Sequence, residues 1–336
     1  MTLTLDLAVE RLPLSKPFHI SGHVFTETPV VVVTLSDGTH RGRGEAAGVY
    51  YLEDDVAAMT AAIEGARATI ERGIDREALQ ELLPPGGARN ALDCAFWELE
   101  ARRTGRPTWE LAGLDTPRPL LTTFTLGADT PGAMAAGAVA FAQARALKLK
   151  LTGELDLDIA RVRAVRAARP ECWIGVDANQ GFSIQDLDRL IPALVEADIK
   201  LLEQPLPRGR EADLTGFVSP IPIAADESAL GLADVPGLVG RFQTVNIKLD
   251  KCGGLTEGLA MAHLARSLGL GVMVGNMVGS SLSMAPAFLV GQLCDIVDLD
   301  GPTFLAADRD PGVLYQDGYV IAGEEIWGRE PVTALQ

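Results

Sequence analysis

The chain has no run of lysines or arginines. Its 29 basic residues face 45 acidic ones over 336 positions, a net charge of −16. Nucleic acid and anionic membrane are thereby excluded as partners, because both are held by basic patches. Cysteine is scarce: Cys94, Cys172, Cys252 and Cys294 are scattered, and no C-x-x-C occurs. A reduced, cytoplasmic protein is the simplest account. The opening Met1-Thr2-Leu3-Thr4-Leu5 alternates and carries neither a basic n-region nor a long apolar block. No signal peptide or membrane span is expected from it. No G-x-G-x-x-G follows a strand-like run, so the dinucleotide fingerprint is missing as well.

What remains is a globular composition. Hydrophobic residues make up 47%, enough for a sizeable core, and 35 Gly with 20 Pro point to many tight connections. The length suits one large α/β unit with a companion. Leu3–Leu12 and Val30–Leu35 alternate as strands, with a turn at Ser36-Asp37-Gly38-Thr39 and a closing segment at Gly42–Ala46. Between those strands, Ser21–Thr26 reads as a loop carrying His23. From about Asp54 to Leu114 the pattern is helical, with Phe96 and Trp97 as core residues. Residues 1–118 are therefore expected to form an α+β domain.

After Pro117 and Pro119 the texture changes. Apolar runs recur at Thr122–Leu126, Leu147–Leu151, Trp173–Asp177, Leu201–Glu203, Ile223–Asp226, Val245–Lys248, Gly271–Gly275 and Ile296–Asp298, roughly 25 residues apart. Each is followed by a helical stretch. Eight β–α repeats predict parallel strands with crossover helices and a closed (β/α) barrel over 119–303. A doubly wound open sheet is the alternative architecture. From about Phe304 the chain turns Gly/Asp-rich, with a hairpin signal at Tyr315–Tyr319, and 304–336 is expected to return to the first domain.

Polar residues stand at the ends of these runs, where barrel enzymes carry their chemistry. Lys148 and Lys150 share one face of their strand by alternation, and adjacent ammonium groups lower one another's pKa. Lysine can then act as a base, although an edge strand with two solvated lysines is the plainer reading. Asp177, Glu203 and Asp226 end three consecutive strands and would repel unless a hard divalent cation, suited to Mg²⁺, joined them. Lys248 ends the sixth strand, across the barrel from the second. Asp298 and Asp300 lie on the eighth, facing the fourth; they would hold a cation such as a substrate ammonium, or stabilise the loop before Gly301-Pro302. Abstraction of a proton α to a carboxylate gives an enediolate that a cation stabilises. Two opposed bases imply inversion at carbon.

The set Lys148-x-Lys150, Asp177, Glu203, Asp226, Lys248 resembles the muconate-lactonizing-enzyme subgroup of the enolase superfamily, over nearly the whole chain. Asp298-Leu299-Asp300-Gly301-Pro302 resembles the D-x-D of dipeptide epimerases. The resemblance implies an α/β protein, a modified (β/α)8 TIM-type barrel with an α+β capping domain. It implies a Mg²⁺-dependent isomerase that epimerises the α-carbon of the C-terminal residue of a dipeptide. An N-acyl-amino-acid racemase, or an o-succinylbenzoate synthase or cycloisomerase, would use the same lysines. Lys150 and Lys248 would be the bases, with Lys148 assisting. Asp177, Glu203 and Asp226 would hold one Mg²⁺ per subunit, with Mn²⁺ able to substitute. Asp298 and Asp300 would bind the substrate ammonium, and Thr125, Asn276 and His23 would contact the substrate. Asn179 and Gln204 would support the metal ligands. A cytoplasmic homo-oligomer acting on a small molecule is expected. Two departures concern the substrate side chain: His23 stands where glutamate-specific epimerases offer an arginine, and Gly275–Ser280 lacks an acidic residue common in relatives.

Overall fold

The computed structural model describes residues 2–20 and 23–329. Strands β1 (Thr4–Ile20), β2 (His23–Ser36) and β3 (Arg41–Ala46) form an antiparallel meander. One face buries Leu5, Val31, Val33 and Leu35 against Met59, Ile63, Leu92 and Leu99 of the following helices. The arm is longer than the sequence suggests. Residues from His23 to Thr26, expected as loop, belong to β2, and Phe18, His19 and Ile20 pair with Phe25, Val24 and His23. Aromatic and β-branched residues on both sides favour the ladder over a loop. Ser21 and Gly22 lie outside the described residues.

The helix Gly87–Thr104 lies directly on β3. Gly42 and Gly44 permit that approach, because a β-carbon on Gly44 would strike the Ala91 carbonyl and one on Gly42 would reach within 2.7 Å of the Leu99 β-carbon.

The second unit is the barrel. After the two-residue strand β4 (Leu120–Leu121) come β5 (Thr123–Leu126), β6 (Ala146–Lys150), β7 (Trp173–Asp177), β8 (Leu201–Glu203), β9 (Ile223–Ala225), β10 (Thr244–Ile247), β11 (Gly271–Val274) and β12 (Ile296–Val297). These last eight are parallel neighbours in chain order. A parallel bridge between Thr122 and Val297 joins the first edge to the last, and the Leu299 N–H donates to Thr122 Oγ1 at 2.9 Å. The open sheet is thus ruled out.

Alternation sorts the side chains. Leu147, Leu149, Ile174, Val176, Leu202, Val245 and Val272 point outward into the main core beneath the helices. Inside, Leu201, Ala224 and Met273, with Trp173 and Ile296, fill the barrel floor at the strand starts. The inward residues at the strand ends are polar, and the register sets Lys150 beside Asp177 and Asp177 beside Glu203. β9, β10 and β12 stop one residue short of the expected runs. Asp226, Lys248 and Asp298 therefore sit just past the ladders, although the Asp298 N–H still donates to the Val274 carbonyl of β11 at 2.9 Å.

Beyond the barrel, β13 (Leu314–Gln316) and β14 (Tyr319–Ile321) form a hairpin whose second strand pairs with β4. The chain then meets the first domain, where Trp327 Nε1 donates to the Arg43 carbonyl at 3.0 Å. No helix among the described residues is long and apolar enough to cross a membrane.

The β3–helix contact can be tested with one methyl group. Gly44→Ala forces the helix off the sheet and is expected to destabilise the protein by about 1–3 kcal/mol, the usual cost of overpacking. Equilibrium denaturant unfolding measures it.

Candidate active site

Asp177, Glu203 and Asp226 come together at the barrel mouth. One carboxylate oxygen from each lies within 4.8 Å of the others, and all three side chains are buried. Each acid is held from a different direction. Lys150 Nζ donates to Asp177 Oδ2 at 2.5 Å. Lys248 Nζ donates to Asp226 Oδ2 at 2.6 Å, and Lys251 Nζ to Asp226 Oδ1 at 2.6 Å. Asn246 Nδ2 donates to Glu203 Oε1 at 2.6 Å. The other Glu203 oxygen is buried without a hydrogen-bond partner, with Lys148 Nζ 3.7 Å away.

The charges are unevenly matched. Six buried carboxyls (the three acids with Glu227, Asp298 and Asp300) meet four buried ammonium groups, Lys148, Lys150, Lys248 and Lys251. Burial pushes Glu203 up to about 7, with Asp177 adding to the effect, and pushes Glu227 up to about 8, with Asp226 adding. Burial acts the same way on Asp226, but Lys248 and Lys251 more than offset it and hold this carboxyl well below the usual range. The lysines show the converse. Burial disfavours the charged form of Lys248, yet Asp226, Glu203 and Asp177 outweigh it and keep the ammonium well above its ordinary pKa. Lys148 is raised in the same manner, chiefly by Asp298 and Glu203 against burial. An all-oxygen donor set with one orphaned carboxylate oxygen and surplus negative charge fits a hard divalent cation. Asp177, Glu203 and Asp226 would hold it.

The remaining residues singled out in the sequence distribute around this centre. Lys148 does not stand unpaired beside Lys150; it reaches past β5 to Asp298 at the end of β12, which also accepts from Thr123 Oγ1. Asp300 accepts the Thr125 N–H at 2.6 Å, and burial with the neighbouring Asp298 pushes its carboxyl up to about 6. Asn276 Nδ2 donates to the Asp298 carbonyl. Gln204 bridges two strand exits: its Oε1 accepts the Asp226 and Ser228 N–H groups, and its Nε2 donates to Ser228 Oγ. The Asn179 N–H donates to Asp177 Oδ1 at 2.9 Å, while its own buried Oδ1 has no partner. The His23 side chain lies outside the described residues.

Asn246 escapes the sequence motifs, whereas Lys251 and Asp250, which follow site residues, read from the sequence as support rather than catalysts. Asn246 shares the inward face of β10 with Lys248, so alternation could have found it. Lys251 is fully buried and belongs to the short helix Leu249–Cys252, where spacing gives no hint that it reaches back to Asp226. Asp250 accepts the N–H groups of Ala47 and Gly48 at 2.9 and 3.0 Å. It thereby pins the first domain over the mouth. The result is a cavity of about 210 Å³ whose floor includes Lys150, Asp226 and Lys248, and whose roof includes Phe25, Tyr50 and Tyr51.

Comparisons with known proteins agree with this geometry. Residues 3–113 match the N-terminal domain of the mandelate racemase / muconate lactonizing enzyme family, and residues 132–325 match the enolase C-terminal domain-like family. The chain is 38% identical to the L-Ala-D/L-Glu epimerase of Escherichia coli (strain K12), covering 94% of this chain and 98% of that one. It is also 38% identical to the N-acetyl-D-glutamate racemase of a Pseudoalteromonas species, covering 89% and 95%. The crystal structure of a dipeptide epimerase from Methylococcus capsulatus, complexed with Mg and L-Arg-D-Lys, superposes with a TM-score of 0.89 at 31% identity over 95% of this chain and 97% of that one.

The metal assignment has a readout that needs no turnover. A cation binding only the folded site raises the melting temperature by mass action. Wild-type protein is expected to melt higher in Mg²⁺ than in chelator, and Asp177→Asn or Asp226→Asn to lose at least most of that increment. Paired thermal melts in Mg²⁺ and in EDTA decide it.

Proposed function

The chain belongs to the mandelate racemase / muconate lactonizing enzyme family of the enolase superfamily and is an isomerase, and from that premise we propose that it is a Mg²⁺-dependent dipeptide epimerase. It inverts the α-carbon of the C-terminal residue by 1,1-proton transfer between Lys150 and Lys248. One observation carries this reading: the two lysines come from positions four strands apart in the barrel order, flank the same carboxylate triad, and line one cavity. A proton acceptor on each side of a planarised carbon is what inversion needs.

The chain's residues divide the work. Asp177, Glu203 and Asp226 form the cradle, and Asn246, Lys251 and Gln204 fix its geometry. Mg²⁺ in that cradle supplies positive charge to the substrate carboxylate while the α-proton is away. Lys150 takes or returns that proton on one face and Lys248 on the other, each neutral when it accepts and charged when it donates. Lys148 lends charge to the same carboxylate. Asp298 and Asp300 face the opposite end of the substrate, with Thr125 and Asn276 beside them, and receive its α-ammonium. The Tyr50–Tyr51 roof keeps water from the reacting carbon.

A second reading is an N-acyl-amino-acid racemase, favoured by the equal identity to the N-acetyl-D-glutamate racemase. The paired acids on the far side speak for a free ammonium, since an acyl cap leaves Asp300 in particular without a cation.

Each lysine variant isolates one half of the reaction. Lys150→Ala and Lys248→Ala are both expected to abolish net epimerisation. Each should still exchange the α-proton of one epimer for deuterium, the two variants serving opposite epimers, at rates lower by roughly 10²-fold or more. Proton NMR of the pure epimers in D₂O is the measurement. Exchange of the same epimer by both variants would replace two-base inversion with a one-base elimination.

A further inference from the structure

The two lysines that flank the triad leave their strands in different surroundings. Past Lys150 the chain is held from within the barrel. The Leu151 N–H donates to the Asp177 carbonyl at 2.9 Å, and the Thr152 and Gly153 N–H groups donate to Asp158 Oδ2 at 3.1 and 2.9 Å. Past Lys248 the chain is held from the first domain. The Lys248 carbonyl starts the short helix Leu249–Cys252 by accepting the Lys251 and Cys252 N–H groups at 3.0 and 3.1 Å. Gly253 and Gly254 follow, and then the 13-residue helix Leu255–Ser267.

Two ionisable side chains of the helix Gly87–Thr104 enter that junction, Arg89 at 3% exposure and Asp93 at 0%. Arg89 Nη2 donates to the Cys252 carbonyl at 2.6 Å and Nε to the Gly253 carbonyl at 3.3 Å, and the guanidinium also pairs with Glu257. Asp93 Oδ2 accepts the Thr256 N–H at 2.9 Å and Oδ1 the Thr256 hydroxyl at 2.6 Å, while Trp97 Nε1 donates to Thr256 Oγ1 at 2.9 Å. A helix end leaves carbonyls without partners and a helix start leaves N–H groups, so a cation suits the first and an anion the second. Gly254 precedes Leu255–Ser267 and has no side chain with which to cap it; Asp93 does so from another domain. Glycine is required at both junction positions. Their φ angles are +80° and +118°, and a β-carbon on Gly253 would lie 2.3 Å from Arg89 Nε, one on Gly254 2.5 Å from Asp93 Oδ2.

The short helix is therefore clamped at both ends. Lys251 ties it to Asp226 and to the Asn246 carbonyl on the barrel side, and Arg89 holds its last carbonyl on the other. Cys252 is bonded directly back to Lys248, so a shift of this junction moves the base. Buried ionic groups add little net stability, because desolvation offsets their attraction. Resting on the epimerase reading above, we infer that Arg89 and Asp93 are positioning residues for Lys248: the first domain sets the place of one base through residues 252–256 and leaves the other to the barrel.

The test compares the two epimers within one protein. Exchange of the α-proton in D₂O is followed by NMR at saturating L-Ala-L-Glu, L-Ala-D-Glu, L-Ala-L-Phe, L-Ala-D-Phe and the two N-acetylglutamate enantiomers, and the pair that wild type exchanges fastest is used. Lys150→Ala and Lys248→Ala identify the epimer that each lysine serves. In Asp93→Ala and Arg89→Met, exchange of the epimer served by Lys248 should fall about tenfold, and that of the other less than about threefold, since small misplacements of a reacting group are costly. Loss of folded protein lowers both rates equally and cannot move their ratio. Should these variants not fold, Thr256→Val is read instead, with a shift of the ratio in the same direction expected and Thr256→Ser restoring it. An unchanged ratio overturns the positioning role and leaves the epimerase reading standing. Exchange of the same epimer by both lysine variants, or of none of these compounds by wild type, overturns that reading and the inference with it.

Discussion

Three carboxylates buried within a few ångströms of one another are the constraint to which the rest of this barrel answers. Left alone they would repel and take up protons, as the upward push on Glu203 shows. Lys150, Lys248 and Lys251 offset part of that charge, and each arrives from a different strand exit or loop. Lys248 is in turn held charged by Asp226, Glu203 and Asp177 against the effect of burial. The protonation of Lys248 therefore depends on what else neutralises Asp226, Glu203 and Asp177, and the carboxylates and this ammonium are electrically one unit. The strand register makes this possible, since Asp177 can touch both Lys150 and the metal position only if β6, β7 and β8 are aligned to the residue.

The second constraint is the lid. A (β/α) barrel leaves its mouth open to water, and here a separate sheet domain covers it. Hydrogen bonds at several points fix that cover, among them Arg89 to the Cys252 carbonyl and Trp97 Nε1 to Thr256 Oγ1. Asp250 takes two N–H groups of the segment leading to Tyr50, and Glu45 accepts the Ser280 N–H at 2.7 Å beside Arg309. Burial pushes the Asp250 carboxyl up to about 7, a measure of how little solvent reaches the seam. Thr28 Oγ1 adds a bond to the Val278 carbonyl, tying β2 to the loop that carries Asn276. The roof is thus referenced to the same strand exits that bear Lys248 and Asn276.

Much of this was readable from the residues alone, and the reason is geometric. Period-2 alternation in Ala146–Leu151 separates two lysines from three leucines with no ambiguity, and the recurrence of strand ends bearing Asp, Glu and Asp places them at one rim. Long-range partners were not readable. Nothing local says that Lys148 reaches Asp298 rather than standing beside Lys150, because that contact spans 150 positions of sequence. Lys251 and Asp250 read as support for the neighbouring site residues, but their partners, Asp226 for one and the Ala47 and Gly48 N–H groups for the other, were not readable. The β1–β2 arm was cut short in the reading because Ser21 and Gly22 resemble a loop, while the ladder through Phe25 depends on pairing that only the partner strand reveals. The aromatic roof left no motif, since Phe25, Tyr50 and Tyr51 are brought together by the fold alone.

The seam between Thr122 and Val297 has a consequence for how such a chain comes off a ribosome. β5 emerges early, yet the edge at Thr122 meets its partner Val297 only 175 residues later (297 − 122). The Arg43 carbonyl waits longer still, for Trp327. Until then the nascent half-barrel presents an unpaired parallel edge and solvent-facing leucines, the features that recruit other chains. Asp177, Glu203 and Asp226 are neighbours in the growing order and can assemble before the seam shuts. A divalent ion captured by these three carboxylates at that stage would brace β7, β8 and β9 against one another before the barrel closes.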